Sequence, residues 1–148
     1  MSMHVPPPTV AERLSVLPHS NPGCDNARLA LFAMRRMGAN GLSDARAAHA
    51  MFTAFGEGFR RPLMLVRAFM ADLAGTAAGP IAIAHCCCPR MTHAEAALIH
   101  VLSRVERQPD NARLLLGDLL GIRRIDGVLA SAAAVAMAFA DEGRPISG

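Results

Sequence analysis

The sequence predicts an all-α protein, a compact helical bundle of about seven helices. Apolar residues recur at spacings of three and four from Ala45 through Phe52 to Phe59, which is the period of one helix face. The capping-box pattern Thr-x-x-Glu, which marks the start of a helix, occurs twice. With 148 residues, the chain has the size of one domain and can bury roughly two-thirds of the surface that it exposes when unfolded.

The first half consists of a tail and three predicted helices. A capping residue precedes each helix and Gly or Pro follows it, because side-chain oxygens satisfy the first amides and glycine tolerates the turn at the end. The predicted segments are an extended tail at residues 1–8, a short helix from Thr9 that stops before Pro18, a helix from Asp25 to Gly38–Gly41, and a helix from Ser43 and Asp44 to Gly58.

A linking helix and three further helices follow. The linking helix, residues 63–74, is apolar on nearly all sides apart from Arg67 and Asp72, which is typical of a central helix or of one at an interface. The later helices are predicted to begin at the second capping box, Thr92–Glu95, at Pro109-Asp110, and near Asp126, and the last two are predicted to end at Gly121 and before Gly143.

The order of these signals repeats, which predicts an internal duplication. The pentapeptide Asp-Asn-Ala-Arg-Leu occurs at residues 25–29 and again at 110–114, and each Asp is predicted to cap its helix and to pair with the Arg one turn on. We therefore expect residues 9–148 to form a single domain with a pseudo-twofold arrangement. Its parts are two similar three-helix halves, about 9–62 and 89–148, joined by the linking helix.

The charge pattern argues against a nucleic-acid partner. All basic residues are arginine, they are scattered, and the formal net charge is only +3. The alternative is a DNA-associated factor in which a helix-turn-helix around Gly121 places Arg123 and Arg124 on phosphates. Its second helix would be Val128–Ala140, and so alanine-rich a segment is typical of a buried helix.

Hydrophobicity predicts a homodimer. The composition is 52% hydrophobic with a mean hydropathy of +0.27, and the linking helix offers an apolar surface for a partner copy. No apolar run reaches the roughly 18–20 residues of a membrane span, and residues 1–8 lack the basic start and apolar centre of a signal peptide. We therefore expect a cytoplasmic protein with no membrane partner, in which the cysteines stay reduced.

The candidate functional residues are concentrated in the run His85-Cys86-Cys87-Cys88, which holds three of the four cysteines. Thiolates bind soft metal ions, and alternate residues of an extended segment point to the same side. Cys86 and Cys88 are therefore predicted to share an ion such as zinc, with His85 and Cys24 as further ligands. Cys87 would face away.

Two other interpretations of the run stay open. Cys86, Cys87 and Cys88 are candidate reactive thiols, because Arg90 and the helix that begins after Thr92 would both lower a thiol pKa. The third interpretation is a buried structural cluster, since a free cysteine often packs as a small hydrophobic residue.

No residue set predicts catalysis or an organic cofactor. The chain has no phosphate loop, dinucleotide fingerprint or calcium loop, and no histidine base has an assignable orienting carboxylate. The sequence therefore predicts a structural or protein-interaction module without catalysis of its own. The alternative is a thiol-redox or metal-binding protein that uses Cys86–Cys88, and the second alternative is the DNA-associated factor.

Overall fold

The computed structural model describes residues 17–148 and confirms the all-α class. The described residues form six α-helices, one short 3-10 helix and a two-stranded ribbon. The predicted Thr9 helix lies outside them, so the predicted count of seven helices is not shown. The elements are β1 (His19–Ser20), α1 (Asp25–Asn40), α2 (Ala45–Phe55), the 3-10 helix (Gly56–Phe59), α3 (Arg60–Thr76), β2 (Arg90–Met91), α4 (His93–Arg104), α5 (Pro109–Leu120) and α6 (Asp126–Asp141).

The centre of the bundle is the pair α3 and α6, which pack along each other. Phe69 and Leu73 of α3 and Val135 and Phe139 of α6 are fully buried. On one side α1 packs against α2 and α3, and on the other α4 packs against α5 and α6. None of the helices between residues 17 and 148 combines the length and the hydropathy needed to cross a membrane.

Several helix ends confirm the predicted signals. Asp44 caps α2 by accepting a hydrogen bond from the Ala47 amide, and both bonds of the capping box between Thr92 and Glu95 are present at the start of α4. Gly121 ends α5 at φ 69°, a left-handed conformation that favours glycine.

Other helix ends differ from the prediction. The C-terminal glycine of α2 is Gly56, at φ 63°, while Gly58 lies within the 3-10 helix. The linking helix begins at Arg60 and ends at Thr76, so it is longer than residues 63–74. Pro62 lies in its first turn, where the missing amide would have had no intrahelical partner.

Two aspartates predicted to cap helices lie inside them instead, as does Asp126 at the predicted start of the last helix. Asp25 and Asp126 are the first residues of α1 and α6, and Asp110 is the second residue of α5. The N-cap positions are held by other residues whose side chains make no capping hydrogen bond. The carboxylates still lie in the first turn, where the helix dipole favours negative charge.

The structure does not show the predicted duplication. Arg28 pairs with Asp25 at 3.6 Å, as expected, whereas Arg113 pairs with Asp126 of the next helix at 2.7 Å. The linking helix α3 also packs more extensively along α6 than along α2, which would be the equivalent helix of the first half. The repeated pentapeptide therefore makes different contacts in its two copies.

Candidate metal centre

A buried ion pair lies beneath the cysteines. Arg35 of α1 and Glu95 of α4 are each 2% exposed. The Arg35 Nε lies 2.7 Å from the Glu95 Oε2, and the Arg35 Nη2 lies 3.1 Å from the Glu95 Oε1. This two-point geometry gives directional, charge-assisted hydrogen bonds, so the pair fixes α1 and α4 relative to each other.

The same two side chains hold the segment from Ala84 to Thr92, which we name the cysteine loop. Arg35 donates through Nη1 to the Cys88 carbonyl and through Nη2 to the Arg90 carbonyl, both at 2.8 Å. Glu95 accepts from the Ala84 amide at 3.2 Å and from the Thr92 amide at 2.9 Å. The buried charges are therefore hydrogen-bonded on several sides, as a buried ion pair requires.

The ribbon of β1 and β2 adds a second attachment. His19 pairs with Met91 in an antiparallel register, the Asn21 amide donates to the Pro89 carbonyl at 3.1 Å, and the Asn21 Nδ2 donates to the Cys88 carbonyl at 3.0 Å. These bonds fix the C-terminal half of the loop independently of Arg35. The loop is thus anchored at both ends.

The loop turns His85, Cys86 and Cys87 outward and Cys88 inward. The Cys88 amide donates to the His85 carbonyl at 3.0 Å, which closes a tight turn. Cys88 is 5% exposed, whereas Cys86 is partly exposed and Cys87 is exposed. The Cys86 and Cys87 sulfurs lie 3.4 Å apart, and the Cys86 sulfur lies 3.9 Å from the His85 Nδ1.

This turn corrects the predicted ligand set. One ligand atom from each of His85, Cys86 and Cys87 lies within 4.8 Å of the others, and these are the sole group of three or more His, Cys, Asp or Glu side chains between residues 17 and 148 that meets this criterion. Cys88, which was predicted to share an ion with Cys86, does not belong to this group, because the segment is a turn and not an extended strand. Cys24 does not belong to the group either.

Two arginines influence the thiols, and one of them, Arg36, hydrogen-bonds to Cys86. Arg36 binds Asp44 at two points, with Nε–Oδ2 and Nη2–Oδ1 distances of 3.1 and 2.9 Å. The pKa of Cys86 is lowered, chiefly by a hydrogen bond from Cys87 and then by the guanidinium groups of Arg36 and Arg46, against an opposing effect of burial. The pKa of Cys87 is raised by the same hydrogen bond and by the charge of Cys86. Cys86 therefore ionises first and Cys87 keeps the shared proton.

Cys24 is a separate thiol at the start of α1. Its sulfur lies 3.9 Å from the Pro145 carbonyl oxygen. Burial raises its pKa, but hydrogen bonds from the Ser147 side chain and from nearby amides, including that of Ala27, outweigh burial and bring the pKa to about 7. An amide at a helix N-terminus stabilises a thiolate in this way.

The sequence-based prediction missed Arg35, the buried partner of Glu95. The sequence does contain a signal for a buried arginine, because Arg35 lies four residues after Leu31 and therefore on the same face of α1. In the structure both side chains are 2% exposed. An arginine is almost never fully buried unless it is paired. Neither helix alone reveals that the partner of Arg35 is Glu95, sixty residues later.

The residues of the predicted DNA-binding motif lie on another part of the molecule. Arg123 and Arg124 are exposed in the connection between α5 and α6. The second helix of the motif would be α6, whose Val128 and Phe139 are buried in the core. This packing argues against insertion of α6 into a DNA groove.

Comparison with known proteins gives a family and no function. No curated protein and no solved structure matches the chain. A model described as a family of unknown function (DUF6628) matches residues 14–112, which is more than half of the 148 residues. The matched segment runs through α1–α4 and includes the whole cysteine loop. The chain therefore belongs to the family of unknown function DUF6628.

Proposed function

We propose that this protein binds a soft metal ion through His85, Cys86 and Cys87. The observation that carries the proposal is the meeting of one imidazole and two thiols within 4.8 Å on an accessible surface. Thiolate and imidazole donors suit zinc and copper, whereas hard ions such as magnesium and calcium prefer oxygen ligands.

The anchoring of the loop supports a binding site over an accidental cluster. A loop held by Arg35, Glu95 and Asn21 presents its donors in one arrangement. The ordering entropy that a flexible loop would lose on binding is then already lost on folding. The neighbouring guanidinium groups of Arg36 and Arg46 further favour the thiolate form, which is the form that binds metal.

The proposal is tested by titrating reduced protein, prepared without a histidine tag, with Zn²⁺ or Cd²⁺ under anaerobic conditions. We expect one ion per chain, a thiolate-to-metal charge-transfer band and release of protons on binding. Cys86→Ser and Cys87→Ser should each weaken binding at least tenfold, and His85→Ala should weaken it less than either. Cys24→Ser is the matched control, since it removes a thiol outside the site and should leave binding unchanged.

Equal binding by the wild type and the Cys86→Ser/Cys87→Ser double variant would reject the proposal. Equal loss in Cys24→Ser would reject the assignment of ligands, since Cys24 contacts the Pro145 segment instead of the loop. Circular dichroism of each variant distinguishes loss of binding from loss of fold. The reducing cytoplasm, where thiols stay free, is the compartment that we propose for such a site.

A second candidate function is a protein-interaction module that acts as a homodimer. Apolar side chains on the surface support it, and Phe52 and Met64 are 51% and 59% exposed on α2 and α3. Exposed apolar groups are common on monomers, however, so this support is weaker. Light scattering at micromolar concentration tests it, and a mass of one chain would reject the homodimer.

A further inference from the structure

We infer that Cys86 and Cys87 form a redox pair, which hydrogen peroxide converts into a disulfide between the two adjacent residues. This activity goes beyond metal binding, and only its last consequence, release of the ion, rests on the proposed function. Two features of the described residues carry the inference: the contact between the two sulfurs, and the placement of the other two cysteines away from them.

The first feature is the turn that brings the two sulfurs together. Side chains of adjacent residues in an extended strand point to opposite sides. Here the bond from the Cys88 amide to the His85 carbonyl closes a turn in which Cys86 and Cys87 hold the central positions. Their sulfurs therefore lie only 3.4 Å apart. The two thiols are in contact before any oxidant reaches them.

The anchoring of the loop leaves this contact free to become a bond. Arg35 and Asn21 bind the loop from Cys88 onward, at backbone carbonyls. Glu95 accepts from the backbone amides of Ala84 and Thr92. The anchoring bonds thus fall on both sides of Cys86 and Cys87, so the disulfide can form while the rest of the loop keeps its contacts.

The second feature is the placement of the other cysteines. Cys87 is exposed and Cys86 is partly exposed, so a small oxidant reaches both. Cys88 is 5% exposed, and its carbonyl is held by Arg35 and Asn21. The Cys24 sulfur lies beside the Pro145 carbonyl instead of the loop. Each accessible thiol of the loop therefore has the other as its thiol partner.

The reaction balances with hydrogen peroxide as the oxidant. One thiolate attacks the peroxide, so that an S–O bond forms, the O–O bond breaks and hydroxide leaves, which gives a sulfenic acid. The second thiolate attacks that sulfur, so that the S–S bond forms, the S–O bond breaks and a second hydroxide leaves. The two sulfurs together lose two electrons, and the peroxide gains them.

The disulfide between adjacent residues is expected to be readily reversible. Adjacent Cα atoms lie about 3.8 Å apart across a trans peptide, whereas disulfides usually join Cα atoms roughly 4.4–6.8 Å apart. Strained and exposed disulfides are easier to reduce, which is typical of regulatory disulfides and not of structural ones. Oxidation would therefore remove both sulfur donors from the metal site, and a thiol reductant would restore them.

The test treats the reduced, metal-free chain with hydrogen peroxide and then labels it with a maleimide after denaturation. We expect two of the four cysteines to lose their reactivity and the mass of the chain to fall by two hydrogen atoms. Dithiothreitol should restore all four thiols. Peptide mass spectrometry should find Cys24 and Cys88 labelled and the bond between Cys86 and Cys87 closed within one tryptic peptide.

Two variants provide a matched comparison. Cys87→Ala should prevent closure and leave Cys86 as a sulfenic acid that dimedone traps. Cys88→Ala removes the buried neighbour and should close the disulfide as the wild type does. Circular dichroism of both variants confirms that the fold is intact. Closure in Cys87→Ala through Cys86 and Cys88 would overturn the inference, as would disulfide-linked dimers of the wild type or four free thiols after peroxide treatment.

Metal titration of the reduced and the oxidised chain separates this inference from the proposed function. Oxidation should weaken Zn²⁺ binding by more than about tenfold, because a disulfide offers no thiolate to the ion. A disulfide that forms in a chain that binds no metal when reduced would reject the proposed function and leave the redox pair in place. Metal binding without a disulfide would overturn the redox pair alone. Equal binding before and after oxidation would overturn the release of the ion.

Discussion

The two faces of the cysteine loop use neighbouring residues in opposite ways. On the inner face, Cys88 is 5% exposed and its carbonyl accepts hydrogen bonds from Arg35 and a second side chain. On the outer face, Cys86 and Cys87 are accessible, and the Cys86 sulfur lies near the Cys87 sulfur, the His85 ring and the Arg36 guanidinium. One face is a buried hydrogen-bond network and the other presents accessible sulfur and nitrogen donors.

Because of this difference, the residues expected to stabilise the fold are not those expected to bind a metal ion, although all lie within a segment of nine residues. Buried polar groups contribute when all of them are paired and cost free energy when one partner is lost. Exposed thiols make few contacts and should contribute little to folding. Substitutions on the inner face should therefore change the free energy of unfolding, whereas those on the outer face should change metal binding and thiol reactivity.

The largest expected effect is at the inner face. Arg35→Met should lower the free energy of unfolding by about 3–5 kcal/mol, because it leaves the Glu95 carboxylate buried without its cation. It also removes the donors to the Cys88 and Arg90 carbonyls. Urea denaturation followed by circular dichroism measures the loss.

An exposed ion pair provides the control for Arg35→Met. Arg61 lies 2.7 Å from Asp141, and both side chains are more than half exposed. Arg61→Met should therefore cost less than about 1 kcal/mol, since water screens such a pair. Equal effects of the two substitutions would mean that the inner face does not stabilise the fold through its buried network.

A smaller effect is expected where the loop enters α4. Thr92→Ala removes the side-chain oxygen that accepts from the Glu95 amide at 3.0 Å and the hydroxyl that donates to the Ala82 carbonyl at 2.8 Å. Loss of an N-cap costs about 1–2 kcal/mol. Because Thr92→Ala also removes the bond to the Ala82 carbonyl, its cost should lie at the upper end of that range. Thr92→Ser keeps both bonds and should lie within about 0.5 kcal/mol of the wild type; a Ser variant as unstable as the Ala variant would contradict this account.

The sequence predicted the helices well because the relevant signals are local. Capping residues, glycine stops and apolar stripes act within a few residues, and they identified the starts of α2 and α4 and the end of α5. The caps predicted at Asp25 and Asp110 were wrong by one and two positions, because Asp is also favourable in the first turn.

The site was predicted only in part, because its geometry depends on contacts distant in sequence. The run His85–Cys88 was identified, but the structure groups Cys86 with His85 and Cys87 instead of Cys88, since alternation applies to strands and the segment is a turn. What sets that turn is the Arg35–Glu95 pair, which joins residues sixty positions apart. No local pattern encodes that pairing.

The next effect compares two cysteines of the loop directly. Cys88→Ala should lower the free energy of unfolding by about 1 kcal/mol, because it removes a buried sulfur that packs as a small apolar group. Cys86→Ala should change stability by less than about 0.5 kcal/mol, as is usual for surface positions. Metal titration should show the opposite order, with binding lost in Cys86→Ala and retained in Cys88→Ala. The same order in both assays would contradict the separate roles assigned to the two faces of the loop.

The smallest effect concerns the pH dependence of thiol labelling. The pKa of Cys86 is lowered, so at any pH below the ordinary thiol value a larger fraction of Cys86 is thiolate, and it should react with iodoacetamide before Cys87 does. Cys87, whose pKa is raised, should require a higher pH, and buried Cys88 should react slowest. Cys24, with a pKa of about 7, provides an internal reference that Cys24→Ser removes. Mass spectrometry of single-labelled peptides identifies the order of labelling. If Cys87 reacted before Cys86, the assigned order of their pKa values would be reversed. If Cys88 reacted as fast as Cys86, the inner face would be open to solvent.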